Sequence, residues 1–109
     1  MGVTKSEIFT TAQNELAHFA KVLGHPARIA IIQHLLKVNT CVCGDLVDEI
    51  GLAQPTISQH LKELKSIGLI SGNIEGTSVC YCLDGKIWKS YQKTVTDLFQ
   101  KIQSLTNCC

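Results

Sequence analysis

The chain contains no run near the ~18 consecutive apolar residues of a membrane-spanning helix, which argues against a protein that crosses a bilayer in that way. Charge of one sign is also missing. Lys+Arg 10 against Asp+Glu 9 leaves +1, which excludes a bulk polycation that coats nucleic acid. It does not exclude a specific DNA reader, whose charge need only be local. No internal repeat, low-complexity tract or long linker divides the 109 residues, so 1–109 is read as a single domain. The opening residues, MGVTKSEIFTTAQNEL, lack the basic-then-apolar layout of a secretory leader, and the expectation is a cytoplasmic protein with no membrane partner. Catalytic signatures are absent as well. There is no HExxH, no Gly-rich phosphate loop and no recognised spacing of Ser, His and Asp, so the chain is not read as an enzyme.

What is present is a 45% hydrophobic composition, enough for a packed core, and six cysteines. In a cytoplasmic chain those cysteines point to metal, metalloid or redox chemistry rather than to a disulfide framework. The apolar period predicts five helices and one hairpin, in the order α-α-α-α-β-β-α. Ile8, Ala12, Leu16, Phe19, Ala20 and Leu23 mark a first helix, about 6–23, that stops at Gly24. His25-Pro26 restarts the chain into a second helix so apolar (IAII) that burial on most sides is expected. A third runs from about Val42 to Ile50 and ends at Gly51. The fourth opens at Gln54-Pro55 and buries Ile57, Leu61, Leu64 and Ile67. Leu69–Ile74 and Ser78–Leu83 read as two strands, with Val79, Tyr81 and Leu83 on one face and Cys80 and Cys82 on the other. A last helix, about 86–106, shows Ile87, Tyr91, Val95, Leu98, Phe99, Ile102 and Leu105. Both terminal helices carry apolar stripes that a domain of this size has little core to hide, which predicts a homodimer formed through them.

Residues 45–70, DLVDEIGLAQPTISQHLKELKSIGLI, have the anatomy of a helix-turn-helix (about 43–67), followed by a wing at about 69–83. Gly51 allows the positive φ of the turn, and Pro55 lies where its missing N–H costs nothing. Gln54, Thr56, Ser58, Gln59 and His60 can donate and accept at base edges in a major groove, while Lys62 and Lys65 can hold phosphates. The combination of turn, polar helix and hairpin favours double-stranded operator DNA as partner over an ordinary solvated face.

The runs LGHPARIAIIQHL (23–35), CVCGDL (41–46), AQPTISQHLKELKSIGLI (53–70) and EGTSVCYCL (75–83) together resemble the ArsR/SmtB family of metal-sensing repressors. The resemblance covers roughly residues 16–83. It implies a winged-helix homodimer, mainly α with a small β-hairpin, that represses transcription and leaves its operator when an inducer binds. Two departures stand out. Ala53 occupies a position where the family usually has Ser, so the reading helix lacks a hydroxyl N-cap. The wing tip Asn73-Ile74-Glu75-Gly76-Thr77 carries no cation, so the wing is expected to add little affinity and the salt slope of binding to be modest.

Cys41-Val42-Cys43 is similar to the arsenite- and antimonite-responsive members, which implies As(III) or Sb(III) as inducer, held by two or three thiolates. If the pair starts a helix, the two side chains point about 200° apart and can share one ion only when that turn unwinds. A third thiol is then sought from Cys108 or Cys109, since Gly44 to Val47 offer none. Cys80 and Cys82 are read as incidental or as an auxiliary pair. A thiol-redox or persulfide switch remains open, with Cys41 or Cys43 paired to Cys108. A cadmium- or zinc-type sensor is also open, although the last helix has no His and only Asp97 as an acid.

Overall fold

Thr10 opens the first helix, α1 (Thr11–Leu23), through a capping box. Its Oγ1 accepts from the Gln13 N–H at 3.0 Å while Gln13 Oε1 accepts from the Thr10 N–H at 2.9 Å. That cap moves the helix start past Ile8 and Phe9, later than the apolar period alone suggests. The computed structural model describes residues 8–38, 41–43, 46–74 and 79–105. Within them follow α2 (Pro26–Val38), β1 (Val42–Cys43), α3 (Val47–Ile50), α4 (Gln54–Ser66), β2 (Ile70–Asn73), β3 (Cys80–Leu83) and α5 (Gly85–Gln103).

The arrangement is a winged helix-turn-helix, as the resemblance implies, with one change in the sheet. The hairpin β2–β3 gains a third strand, β1, in the order β1-β3-β2, both pairs antiparallel. The expected third helix from Val42 is therefore corrected: Val42 and Cys43 are strand, and helix begins only at Val47. The physical reason is long-range. Val42 lies opposite Tyr81 and Cys43 opposite Cys80, so a ladder with β3 satisfies the backbone where a helix start would have left it open.

The core is one cluster in which Phe19 and Val22 of α1, Ile31, Ile32 and Leu35 of α2, Leu46, and Ile57, Leu61 and Leu64 of α4 meet Leu69, Ile70, Ile74 and Tyr81. Tyr81, fully buried, anchors the sheet to the helices. The second helix is less enclosed than its composition suggests, for Ile29 and Leu36 face outward. Asp84 caps α5 by accepting from the Lys86 and Ile87 N–H groups. The first half of α5 is held by an aromatic contact and a side-chain bond. Phe19 stacks on Tyr91 with centroids 4.2 Å apart, and Trp88 Nε1 donates to the Leu69 carbonyl at 2.9 Å. Among the described residues the second half of α5 makes no such contact, and Leu98, Phe99 and Ile102, with Leu105 just past the helix end, are exposed. None of the helices among the described residues is long and apolar enough to cross a membrane.

Candidate nucleic-acid interface and thiol cluster

Gly51, at φ 83°, makes the turn between α3 and α4, and nothing lies within 4 Å of the Cβ it lacks. Its role is backbone conformation alone. α4 then begins with Pro in its first turn and an uncapped N-terminus, because Ala53 makes no side-chain cap. This leaves the first N–H groups and the positive end of the helix dipole facing outward, where an anion is favoured.

Of the residues expected to read bases, Thr56 and Gln59 are exposed, and Gln54 and Ser58 are half-buried. Gln54 Nε2 donates to Ser58 Oγ at 3.2 Å, and Gln59 Nε2 reaches Glu63 Oε1 at 3.4 Å. Both amides therefore have intramolecular partners within α4. Lys65 Nζ donates to the Gly72 carbonyl at 2.7 Å, tying α4 to the wing. With Lys62 and Ser66 it lines a groove closed on the other side by Asn73 and Ile74. A phosphate entering this groove meets two lysines from one helix. Glu75, Gly76 and Thr77 of the wing tip lie outside the described residues.

His60 departs from the expected set. It is only 8% exposed and turned inward, with Nδ1 accepting from Arg28 Nε at 3.1 Å. Arg28 Nη1 also donates to the Val22 carbonyl at 2.9 Å, and the His25 ring lies 4.3 Å from that of His60. His60 thus locks the reading helix to the α1–α2 corner instead of presenting an edge to DNA. Burial, then the neighbouring His25 and Arg28, push its pKa below the usual value, outweighing Glu63. The neutral ring is also the form that can accept from Arg28.

The consequence is a pH dependence of known sign. Below the ordinary histidine pKa of about 6.5, the unfolded chain takes a proton that the folded chain refuses, so stability falls as pH drops from there toward the lowered folded value. Urea unfolding at pH about 7.5 and about 5.5 should show this loss in the wild type and a smaller one in His60→Gln, which keeps an acceptor without titrating. Equal losses in both proteins would remove His60 as the cause.

The cysteines form the second cluster. Cys41, just before β1, and Cys43 flank Val42 in extended chain and so share one face. On β3 the same alternation places Cys80 and Cys82 on the face opposite the buried Tyr81. Register brings the two pairs together: Cys43 faces Cys80, and Cys41, just before β1, is joined to Cys82. Their Cα atoms are 4.1 and 4.3 Å apart, and both pairs are joined as disulfides. Two expectations are corrected here. Cys41 and Cys43 do not point to opposite sides, and the sulfurs are cross-linked, not free. Of the two readings of Cys80 and Cys82, incidental or an auxiliary pair, their position opposite Cys43 and Cys41 favours the second. Cys41, Cys43 and Cys80 are exposed, and Cys82 is half-buried. With the sulfurs paired, no group of three or more His, Cys, Asp or Glu among the described residues is arranged for a metal ion. Cys108 and Cys109 lie outside the described residues.

One group escaped sequence reasoning, and for a second only the partner was missed. Arg28 and His25 gave no signal of their own, since their role depends on the α2–α4 crossing. The wing cysteines did offer one, a second C-x-C run in an alternating strand that mirrors the first.

Comparison with known proteins agrees with this architecture. Residues 25–71 match the model of the bacterial regulatory protein, arsR family. The chain is 43% identical over 63 residues to the HTH-type transcriptional repressor SmtB of Mycobacterium tuberculosis, covering 58% of this chain and 46% of that protein. It is 37% identical over 84 residues to an uncharacterized HTH-type transcriptional regulator of Methanocaldococcus jannaschii, covering 75% and 92%. To the HTH-type transcriptional regulator CmtR of Mycobacterium bovis it is 34% identical over 71 residues, covering 65% and 59%. The chain therefore spans about half the length of the first of these relatives.

Proposed function

This chain belongs to the arsR family of bacterial regulatory proteins, which are DNA-binding regulators and not enzymes, and on that footing we propose that it is an operator-binding transcriptional repressor released by a thiol-directed inducer. The observation that supports this reading best is the position of Cys41 and Cys43, at the start and end of the short stretch containing β1, the element that precedes α3 and α4 in the chain. A ligand on those sulfurs acts at the entrance to the DNA-reading unit.

In the bound state a homodimer, joined through α1 and α5, presents two copies of α4 to successive major grooves of cytoplasmic operator DNA. Gln54, Thr56, Ser58 and Gln59 read base edges, while Lys62, Lys65 and the uncapped helix end hold phosphates. His60 supports this surface from behind. The inducer is a soft, thiophilic species, and a trivalent arsenic or antimony compound fits sulfur-only donors better than a metal that prefers nitrogen or oxygen. Release requires that the inducer bind the DNA-free shape more tightly than the bound one.

A second reading has its own support in the pairing of Cys41 with Cys82 and Cys43 with Cys80. Here the signal is oxidation. Each disulfide formed gives up two electrons and two protons to a peroxide or a small disulfide. One experiment separates the two. Reduced protein bound to labelled operator is titrated with arsenite, antimonite, cadmium, zinc, peroxide and persulfide, and release is followed by fluorescence anisotropy. Arsenite and antimonite should release it, and Cys41→Ser/Cys43→Ser should not respond. Release by peroxide or persulfide alone would transfer the function to the redox reading, and release of the double variant by arsenite would remove Cys41 and Cys43 from the site.

A further inference from the structure

The four sulfurs on one sheet face pose a question that the pair Cys41 and Cys43 does not. A trivalent metalloid is satisfied by three sulfurs, and Cys41 and Cys43, beside and on β1, supply two. The sheet places two more directly opposite, on a strand that belongs to the wing. We propose that Cys41, Cys43, Cys80 and Cys82, when reduced, form one four-sulfur face that binds a trivalent metalloid through three of its thiols, at least one of them from the wing strand. This rests on the repressor reading above and specifies its ligand set.

The geometry supports convergence. Across the strands the Cα separations are 4.1 and 4.3 Å. Along each strand, cysteines two residues apart are separated by roughly 6.6–6.8 Å. Sulfurs bound at about 2.3 Å to a pyramidal three-coordinate centre, with bond angles of about 100°, sit about 3.5 Å from one another, so two sulfurs on one strand must each lean inward by about 1.6 Å. A χ1 rotation supplies that much, and the exposed side of the sheet leaves room for it. Across the ladder almost no adjustment is needed. No backbone unwinding enters, in contrast to a helical Cys-x-Cys pair. Ser71 and Asn73 extend the two rows, since Ser71 faces Cys82 and Asn73 faces Cys80 on β2. Their side chains are polar but weak donors to a soft centre, so the sulfurs alone define the site.

The chemistry balances without a redox step at the metalloid. Arsenous acid, As(OH)3, exchanges three As–O bonds for three As–S bonds. Each thiol proton leaves with a hydroxide as water, and arsenic stays trivalent. Thiols are needed beforehand. A phosphine reductant opens each disulfide, taking up the oxygen of one water as phosphine oxide and leaving two S–H groups. Because the site joins β1, which leads into the reading unit, to β3 of the wing, its occupant constrains both DNA-approaching parts at once.

Four sulfurs for a three-coordinate guest make a distinctive prediction: any single wing cysteine is dispensable, but the pair is not. Phosphine-reduced protein, freed of reductant under anaerobic conditions, is titrated with arsenite, and the thiols lost per arsenic are counted with a disulfide reagent. The wild type should lose three per arsenic, as should Cys80→Ser, Cys82→Ser and Cys108→Ser/Cys109→Ser. Cys80→Ser/Cys82→Ser should lose only two, with X-ray absorption showing one oxygen in place of a sulfur. Circular dichroism and the single variants guard against a misfolded double variant. Three thiols still lost by Cys80→Ser/Cys82→Ser, or two lost by the wild type, would overturn the proposal. Because this readout contains no DNA, three-sulfur binding without operator release would leave the site standing and defeat the inducer role instead.

Discussion

Replacing Phe99 and Ile102 together with glutamate should yield a folded monomer at micromolar concentration that no longer holds its operator. α5 spans 19 residues, about 28 Å, whereas α1 beside it has 13 and covers about 20 Å. The surplus falls at the C-terminal end. Ile87, Trp88, Tyr91 and Val95 pack on the monomer core, but Leu98, Phe99, Ile102 and Leu105 continue the same stripe into solvent, 43%, 57%, 54% and 66% exposed. Ile8 and Phe9, just before α1, are exposed as well. A second copy that covered these side chains would gain about 1.5–3 kcal/mol for each one fully buried. Two glutamates in that patch remove much of the gain and place charges where no partner compensates them. None of the four side chains belongs to the monomer core, so the melting of the fold should change little at equal helicity. Operator binding should fall steeply, because one protomer can engage only one half-site. Sedimentation and anisotropy together test this. A variant that remains dimeric, or a wild type that is monomeric at the same concentration, would remove these helices as the dimer interface.

The reading segment was legible because its punctuation is local. Gly24-His25-Pro26, Gly51 with Gln54-Pro55, and Asp84-Gly85 mark element ends through backbone preferences that do not depend on what packs against them. The stripe of α4 was legible too, and it contained more than was taken from it. Ile57, His60, Leu61 and Leu64 recur at helical spacing, so the period itself places His60 on the buried side, and its polarity alone argued otherwise. Cys41-Val42-Cys43 could not be assigned from its own residues. Three positions are too few to separate a period of 2 from one of 3.6, and the deciding interaction comes from Cys80 and Tyr81, nearly forty residues away. Without that strand the sequence offers a third sulfur only at the C-terminus, whereas the sheet sets two directly across from Cys41 and Cys43.

Gly72→Ala should damage the wing far more than Gly51→Ala damages the turn, although both glycines have positive φ, at 121° and 83°. For any residue with a Cβ, the left-handed region costs about 1–2 kcal/mol, and Gly72, further from the left-handed helical values than Gly51, bears at least that much. At Gly51 nothing lies within 4 Å of the added carbon, so that term stands nearly alone. At Gly72 the same carbon runs into the Cys80 carbonyl oxygen and approaches Tyr81 Cα to 2.9 Å, both of them backbone on the neighbouring strand. Backbone cannot swing aside as a side chain can. Either the overlap adds about 1–3 kcal/mol or β2 parts from β3. Parting would be costly in its own way, since Gly72 lies opposite Tyr81, the residue that anchors the sheet to the core, and its carbonyl accepts from Lys65. The difference in denaturant midpoint between the two variants, at equal m-values, reads the overlap together with the extra backbone cost at Gly72. Gly72→Ala should also weaken operator binding through the loosened Lys65 groove, whereas Gly51→Ala should alter binding only as far as the turn re-aims α4. Equal destabilisation of the two variants would mean that the wing strands have room the register does not indicate, and the close approach at Gly72 would lose its structural role.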